Sequence, residues 1–299
     1  MRRSESFRIG AVGTRFAPDP AGLLERIIDH GRAEPAIRGL LLLGSRARIE
    51  HAADEWSDTD LIVLVADPDG FLADAGWPAH FGPVAMTFIE ATGHGRRERR
   101  TMYVDGTDLD LIPVAVDEVR RGWGDFPGLA VLARGFRVLH DPDGLLSGLE
   151  RWVDERPREE DWPPQVVDFE SLVADFWYHA VWTARKLRRG ELWVALECLD
   201  GYMKRCLLTV LEWQARARDG GNGDPWFGGR FLERWAEPAS VAALGEAFAH
   251  YAAADVRRAL RATMDLFRRE ATDLSIRLEL PYPARADEVA TGMVDDLLA

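Results

Sequence analysis

Cysteine is scarce in this chain: Cys198 and Cys206 are the only two in 299 residues. They lie eight apart on what reads as one helix, about two turns, so they share a face without being placed to bridge. The seven histidines are scattered, and no Cys/His spacing forms a zinc pattern. A disulfide framework and a zinc centre are both excluded as organising principles. Long hydrophobic runs are also missing. No stretch of 18 apolar residues is present, and Met1 to Phe7 is charged and polar with no apolar segment after it. A membrane span and a signal peptide are therefore not expected, and a cytoplasmic protein is. Basic residues are in deficit, 37 Lys and Arg against 50 Asp and Glu, for a net charge of −13. Binding to a nucleic-acid backbone needs clustered positive charge, so nucleic acid is not the expected partner. A small cationic molecule suits the acidic balance better. Internal repeats and low-complexity tracts are absent too.

What remains is an ordinary globular composition, 47% apolar and 29% charged, at a length that suits two domains. The first half mixes signals. Leu23 to His30 has helical periodicity. Ile37 to Leu43 and Asp60 to Val65 are short apolar runs typical of buried strands. Val84–Ile89, Arg100–Val104 and Asp108–Val114 suggest three more strands, the last two joined by the turn signal Asp105-Gly106. Arg137–His140 adds a further short strand. Arg156 to Pro164, rich in charge and proline, reads as a linker. Beyond it, Phe169–Leu187, Leu192–Trp213 and Val241–Leu274 carry apolar residues at three- and four-residue spacing. The expected fold class is α+β: a mixed sheet with flanking helices over residues 1–155, then an all-helical domain over 156–299.

The chemistry concentrates in Leu43-Gly44-Ser45-Arg46 and Trp56-Ser57-Asp58-Thr59-Asp60. A strand ends at Gly44, and a helix is expected to begin at Ser45. Glycine lets backbone approach a phosphate closely, and free N–H groups at a helix start bind anions. Asp58 and Asp60 are two apart at the mouth of a strand, so both carboxylates share one face. Oxygen-rich sites of this kind suit Mg²⁺. A third carboxylate on a neighbouring strand would complete the set. Asp110, flanked by Leu109 and Leu111, is the candidate, with Asp108 on the same face as the competing choice. The basic run Arg96-Arg97-Glu98-Arg99-Arg100 reads as a solvated loop.

The order Gly-Ser, twelve residues, Asp-x-Asp, then a later strand aspartate resembles the nucleotidyltransferase superfamily that includes DNA polymerase beta. More narrowly, several segments are similar to the aminoglycoside 6-adenylyltransferases, or streptomycin adenylyltransferases. In the first half these are Gly44-Ser45-Arg46, Asp110-Leu111-Ile112-Pro113 and Asp141 to Gly144. In the second they are Asp175-Phe176-Trp177, Gly190-Glu191-Leu192, Leu211-Glu212-Trp213, Leu266-Phe267-Arg268 and Tyr282-Pro283. The resemblance implies transfer of AMP from ATP to an acceptor hydroxyl, with Asp58, Asp60 and Asp110 catalytic and holding two Mg²⁺ ions, and Asp110 the general base. It implies nucleotide contacts from Gly44, Ser45, Arg46, Ser57 and Lys204. It implies acceptor contacts from Glu197, Asp175, Trp177 and Asp200 in the helical half. The sequence departs from the family's usual pattern at Leu43, where a polar residue is common, and at Asp108, where a basic one is. Other acceptors, a non-catalytic nucleotide-binding relative and any oligomeric state stay open at this point.

Overall fold

The structure is a computed structural model and describes residues 17–48, 52–92, 95–122, 129–155, 162–220, 225 and 227–299. Most of the expected linker lies outside these residues. The chain forms two compact units, Met1–Glu159 and Glu160–Ala299.

The first unit is built on a six-stranded sheet. Helix α1 (Pro20–Ala33) opens it. Asp19 caps α1 by accepting from the Gly22 N–H at 2.9 Å, and Pro20 occupies the first turn, where its missing donor costs nothing. The strands are β1 (Gly39–Leu42), β2 (Thr59–Val65), β3 (Val84–Ala91), β4 (Arg97–Tyr103), β5 (Asp108–Ala115) and β6 (Arg137–His140). Short helices α2 (Pro68–Ala73), α3 (Val116–Arg120), α4 (Leu129–Leu132) and α5 (Leu149–Asp154) connect or cover them. Their order in the sheet is β3-β4-β5-β2-β1-β6. β2 and β5 pair in parallel and the other neighbours antiparallel, so the sheet is mixed as expected.

Alternation along the central strands sends apolar side chains to both faces. Leu61, Val63 and Leu109 pack with Leu23 and Ile27 of α1 on one side. Ile62, Leu64 and Val114 pack with Val116, Val119 and Leu149 on the other. Asp60 and Asp110 continue the rows of Ile62 and Val114 to the end of their strands.

Three expectations are corrected here. The segment after Gly44 is a single 3-10 turn, Gly44–Arg46, with Ala47 N–H closing on Gly44 O at 3.2 Å, rather than the start of a helix. The basic run is strand, not loop: Arg97 to Arg100 belong to β4, and Glu98 and Arg99 are buried. The expected helix over 241–274 is two helices, for reasons given below.

The second unit is helical: α6 (Val166–Arg188), α7 (Leu192–Glu197), α8 (Lys204–Arg218), α9 (Leu232–Trp235), α10 (Pro238–Ala247), α11 (Ala253–Leu278) and α12 (Ala284–Leu298). Between α7 and α8, Cys198–Met203 forms a π-helical turn, so the expected 192–213 helix carries a local bulge. The core centres on Phe169, Phe176, Trp177 and Phe267, with Phe176 and Phe267 stacked at 3.6 Å. Both cysteines are buried and free.

The α10–α11 break at 248–252 contains no Gly or Pro, and the nearest glycine, Gly245, is still helical. Side chains make it instead. Arg258 donates to Glu246 O and Phe248 O, closing the end of α10. Asp255 accepts from the His250 N–H at 2.6 Å and Asp200 from the Ala249 N–H at 3.2 Å. Backbone groups freed from helical bonding thus keep partners. Among the described residues no helix is long and apolar enough to cross a membrane.

Candidate active site

The parallel pairing of β2 with β5 puts Asp60 directly opposite Asp110. One carboxylate oxygen from each of Asp58, Asp60 and Asp110 lies within 4.8 Å of the others. Asp108 is not in this group; the register sets Asp110, not Asp108, opposite Asp60.

The turn at Gly44 closes the site from below. Gly44 has φ +65, and a Cβ there would stand 2.0 Å from Asp60 Oδ2. Only glycine permits this approach, both for its backbone angle and for the space the carboxylate takes. Leu43 N–H donates to Asp60 O at 2.9 Å and ties the turn to β2.

Arg46, expected to contact phosphate, is engaged with backbone in this structure. Its Nε donates to Asp58 O at 2.9 Å, and its Nη2 to Ser57 O and to Asp54 O at 3.2 Å. The guanidinium is thus spent on the backbone of the 54–58 loop, and it fixes where Asp58 sits. Ser57 is likewise local: its Oγ donates to Asp54 Oδ1 at 2.9 Å and accepts from the Asp54 N–H at 3.1 Å. Ser45 differs, because its Oγ is buried and has no hydrogen-bond partner among the described residues.

Asp110 is only 4% exposed. Burial pushes its carboxyl up to about 7; the nearby Arg100 guanidinium works against this, and the charges of Asp108, Glu98 and Asp60 add to it. Asp108 is raised as well, by burial first and by Asp58 second. Carboxylates this close cannot all stay ionised unaided. Asp110 Oδ1 is buried without a partner, an arrangement that costs free energy unless something fills it. The oxygen-only donor set and the orphaned oxygen fit a divalent cation such as Mg²⁺ held by Asp58, Asp60 and Asp110.

The sequence reading missed Arg100. Its Nη2 stands 3.3 Å from Asp110 Oδ2, while its Nε meets Glu98 Oε1 at 2.9 Å and Glu90 Oε2 at 2.8 Å. Alternation was the available signal: Glu98, Arg100 and Met102 form a period-two set if the strand starts at 97 rather than 100.

In the helical unit, three residues expected to bind ligands have internal partners. Lys204 is 9% exposed; its Nζ donates to Ala247 O and Thr263 Oγ1, both at 2.8 Å, and pairs with Asp200 at 3.4 Å. It joins α8 to α10 and α11 rather than waiting for a triphosphate. Asp200 spends its two oxygens on Lys204 and Ala249 N–H. Trp177 is 1% exposed, packed edge-on against Phe176 and Phe267, with Nε1 donating to Tyr282 Oη at 3.3 Å. Its ring is core, not a stacking platform. Asp175 and Glu197 remain accessible. Asp175 accepts from Tyr202 Oη at 2.7 Å and faces His179 Nδ1 at 2.9 Å, and Glu197 is exposed.

The family model for streptomycin adenylyltransferase matches residues 20–295. An aminoglycoside 6-adenylyltransferase of Bacillus subtilis (strain 168) is 20% identical over 274 residues, 87% of this chain and 92% of that protein. One of Campylobacter jejuni is 19% identical over 277 residues, 90% of this chain and 92% of its own length. The crystal structure of an aminoglycoside 6-adenyltransferase from Bacillus subtilis aligns with 95% of this chain and 100% of its own, at a TM-score of 0.46 and 17% identity. With a model match spanning nearly the whole sequence, the chain belongs to the streptomycin adenylyltransferase family and is an adenylyltransferase, one of the nucleotidyltransferases.

Proposed function

We propose that this enzyme transfers AMP from ATP to a hydroxyl of a streptomycin-like aminoglycoside, releasing pyrophosphate, in the cytoplasm. The observation that carries the reading is the convergence of Asp58, Asp60 and Asp110 above a turn that only Gly44 can make. Divalent cations held there, two Mg²⁺ ions in the two-metal arrangement, would neutralise the triphosphate and acidify the acceptor hydroxyl.

The chain's own residues supply the rest. Gly44 brings backbone close to the nucleotide's phosphates. The unpartnered Ser45 Oγ is free to donate to one of them. Arg46, by holding the carbonyls of Asp54, Ser57 and Asp58, keeps the first carboxylate in place. Asp110, on the rigid β5 strand, takes the proton of the attacking hydroxyl. In the helical unit, Asp175 is the carboxylate best built for a cationic group of the acceptor: two donors already orient it, and it keeps solvent access. Glu197 is a second candidate.

The test is incubation with Mg²⁺, ATP and streptomycin beside a panel of other antibiotics, with mass spectrometry reading acceptor plus AMP. An adduct on streptomycin is the expected result. An adduct on a different acceptor keeps the chemistry and replaces the substrate. No adduct, with no pyrophosphate released on any acceptor, overturns the reading.

A further inference from the structure

The four strands at one side of the sheet carry a polar ladder across the face that holds the carboxylates. Glu90 of β3 pairs in register with Glu98 of β4, Arg100 of β4 with Asp110 of β5, and Asp110 with Asp60 of β2. Among the described residues of this ladder Arg100 is the one cation, placed between two glutamates and the aspartates. Its side chain is 42% exposed, yet three carboxylates hold it: Glu90 and Glu98 at its Nε, and Asp110 at its Nη2. Glu98 is itself buried, so the tether is anchored in the sheet and not in solvent.

The contact with Asp110 is one-sided. Arg100 engages Oδ2 at 3.3 Å, whereas Oδ1 is buried and unpartnered. A carboxylate held by one oxygen has lost its freedom to rotate or to chelate through both. The guanidinium also brings a permanent positive charge beside the Asp110 end of the cluster, as Arg46 does beside Asp58 and Asp60.

We propose that Arg100 is a positioning residue for the third carboxylate. Tethered by Glu90 and Glu98, it occupies Asp110 Oδ2 so that Oδ1 alone is offered to the divalent cation, and it keeps cation affinity low enough for exchange. This rests on the reading of Asp58, Asp60 and Asp110 as a cation site. Replacing Arg100 therefore has opposite effects on binding and turnover: the cation binds more tightly, while AMP transfer slows because Asp110 is no longer held.

The experiment titrates manganese(II) alone into wild type, Asp60→Asn, Arg100→Gln and Arg100→Lys, by calorimetry or by electron paramagnetic resonance. Thermal melting is recorded for each, and steady-state kinetics run in parallel. We expect Arg100→Gln to bind manganese about tenfold more tightly than wild type, as loss of a nearby unit charge implies. Its kcat should fall about tenfold with the KM for ATP unchanged. Arg100→Lys, which keeps the charge but not the planar fork, should retain wild-type manganese affinity and recover part of kcat. Tighter manganese binding reports the lost charge, and the fall in kcat beside it, with unchanged melting temperature and partial recovery in Arg100→Lys, reports the lost positioning. If wild type binds manganese, Asp60→Asn does not, and folded Arg100→Gln binds as wild type does or more weakly, the positioning role is overturned and the cation site stands. If wild type binds no manganese, or Asp60→Asn binds it equally, the cation site falls and this inference with it.

Discussion

The two units treat buried polar groups in opposite ways. In the sheet unit, Asp110 Oδ1 and Ser45 Oγ are buried at the site with no hydrogen-bond partner among the described residues, and Thr59 Oγ1, Trp77 Nε1 and Arg99 Nε are in the same condition elsewhere in the unit. In the helical unit, the prominent buried polar groups are answered. Lys204 has Ala247 O, Thr263 and Asp200. Gln214 Nε2 donates to Glu270 O at 2.8 Å, and Ser240 Oγ to Glu270 Oε1 at 2.6 Å. Asp287 accepts from Arg268 Nε at 2.7 Å, Arg268 Nη2 at 2.6 Å, Tyr282 Oη at 2.7 Å and Thr291 Oγ1 at 3.1 Å. Unsatisfied groups are tolerable where a ligand will satisfy them, and satisfied ones hold helices together. Asp287 shows the second case in its acidity: burial alone would raise its carboxyl, but Arg268, Tyr282 and Thr291 hold it below the usual range. The contrast marks Asp110 and Ser45 as groups a ligand can satisfy because they also lie at the carboxylate cluster, whereas Trp77 Nε1 and Arg99 Nε are unpartnered away from it.

Substitutions should therefore separate. The largest effect belongs to Asp60→Asn, which we expect to lower turnover by about a thousandfold, or about 4 kcal/mol of transition-state stabilisation. Its melting temperature should hold or rise, because one of several crowded carboxylates becomes neutral. Pyrophosphate release and calorimetry read the two sides; near-normal turnover sinks the triad assignment. Next is Arg268→Met. It leaves the 6%-exposed Asp287 without its bidentate partner; loss of one member of a buried pair costs about 3–5 kcal/mol, and with Arg268 itself a third exposed we expect about 3 kcal/mol, the low end. Urea unfolding should register that loss while turnover per folded molecule is retained. A folded Arg268→Met protein that has lost activity breaks the division between the units.

Lys204 gives a pH test of smaller size. Burial lowers its ammonium to about 8, against an ordinary value near 10.5, with Asp200 partly opposing. Between those values the unfolded chain binds more protons than the folded one, so stability from this group rises as pH increases through 8 to 10.5. The full span is about 3 kcal/mol, and the interval from pH 7.5 to pH 10 samples only part of it. Urea unfolding of wild type and Lys204→Met at pH 7.5 and pH 10 should show wild type gaining relative to the variant at the higher pH, and a relative loss contradicts the burial argument. The smallest effect on stability is expected for Gly44→Ala. A left-handed backbone angle forced on alanine costs about 1–2 kcal/mol, and its Cβ displaces Asp60, so modest instability and a fall in kcat should appear together. This substitution alone blurs the contrast, since the same turn serves fold and site.

Much of the sheet unit was legible because its signals are local. Val-, Ile- and Leu-rich runs marked β2 and β5, and Asp105-Gly106 marked the turn between β4 and β5. The helical unit hid more. Its α10–α11 break depends on Asp200, some fifty residues upstream of the backbone it holds, and on Arg258 reaching back to Phe248. A charge run such as 96–100 looks solvated in one dimension; pairing against β3 and β5 buries Glu98 and Arg99 and aims Arg100 at Asp110.

The sequence by itself determined the mixed α+β and helical halves, the strand end at Gly44 and the Asp58, Asp60 pair, because each follows from periodicity or from spacing within a few residues. Only the tertiary structure decided that Asp110, not Asp108, joins them, that Arg46 braces a loop, and that Lys204, Asp200 and Trp177 belong to the framework. Those outcomes depend on strand register and on which distant groups share a buried space, and neither is written in the local order of residues.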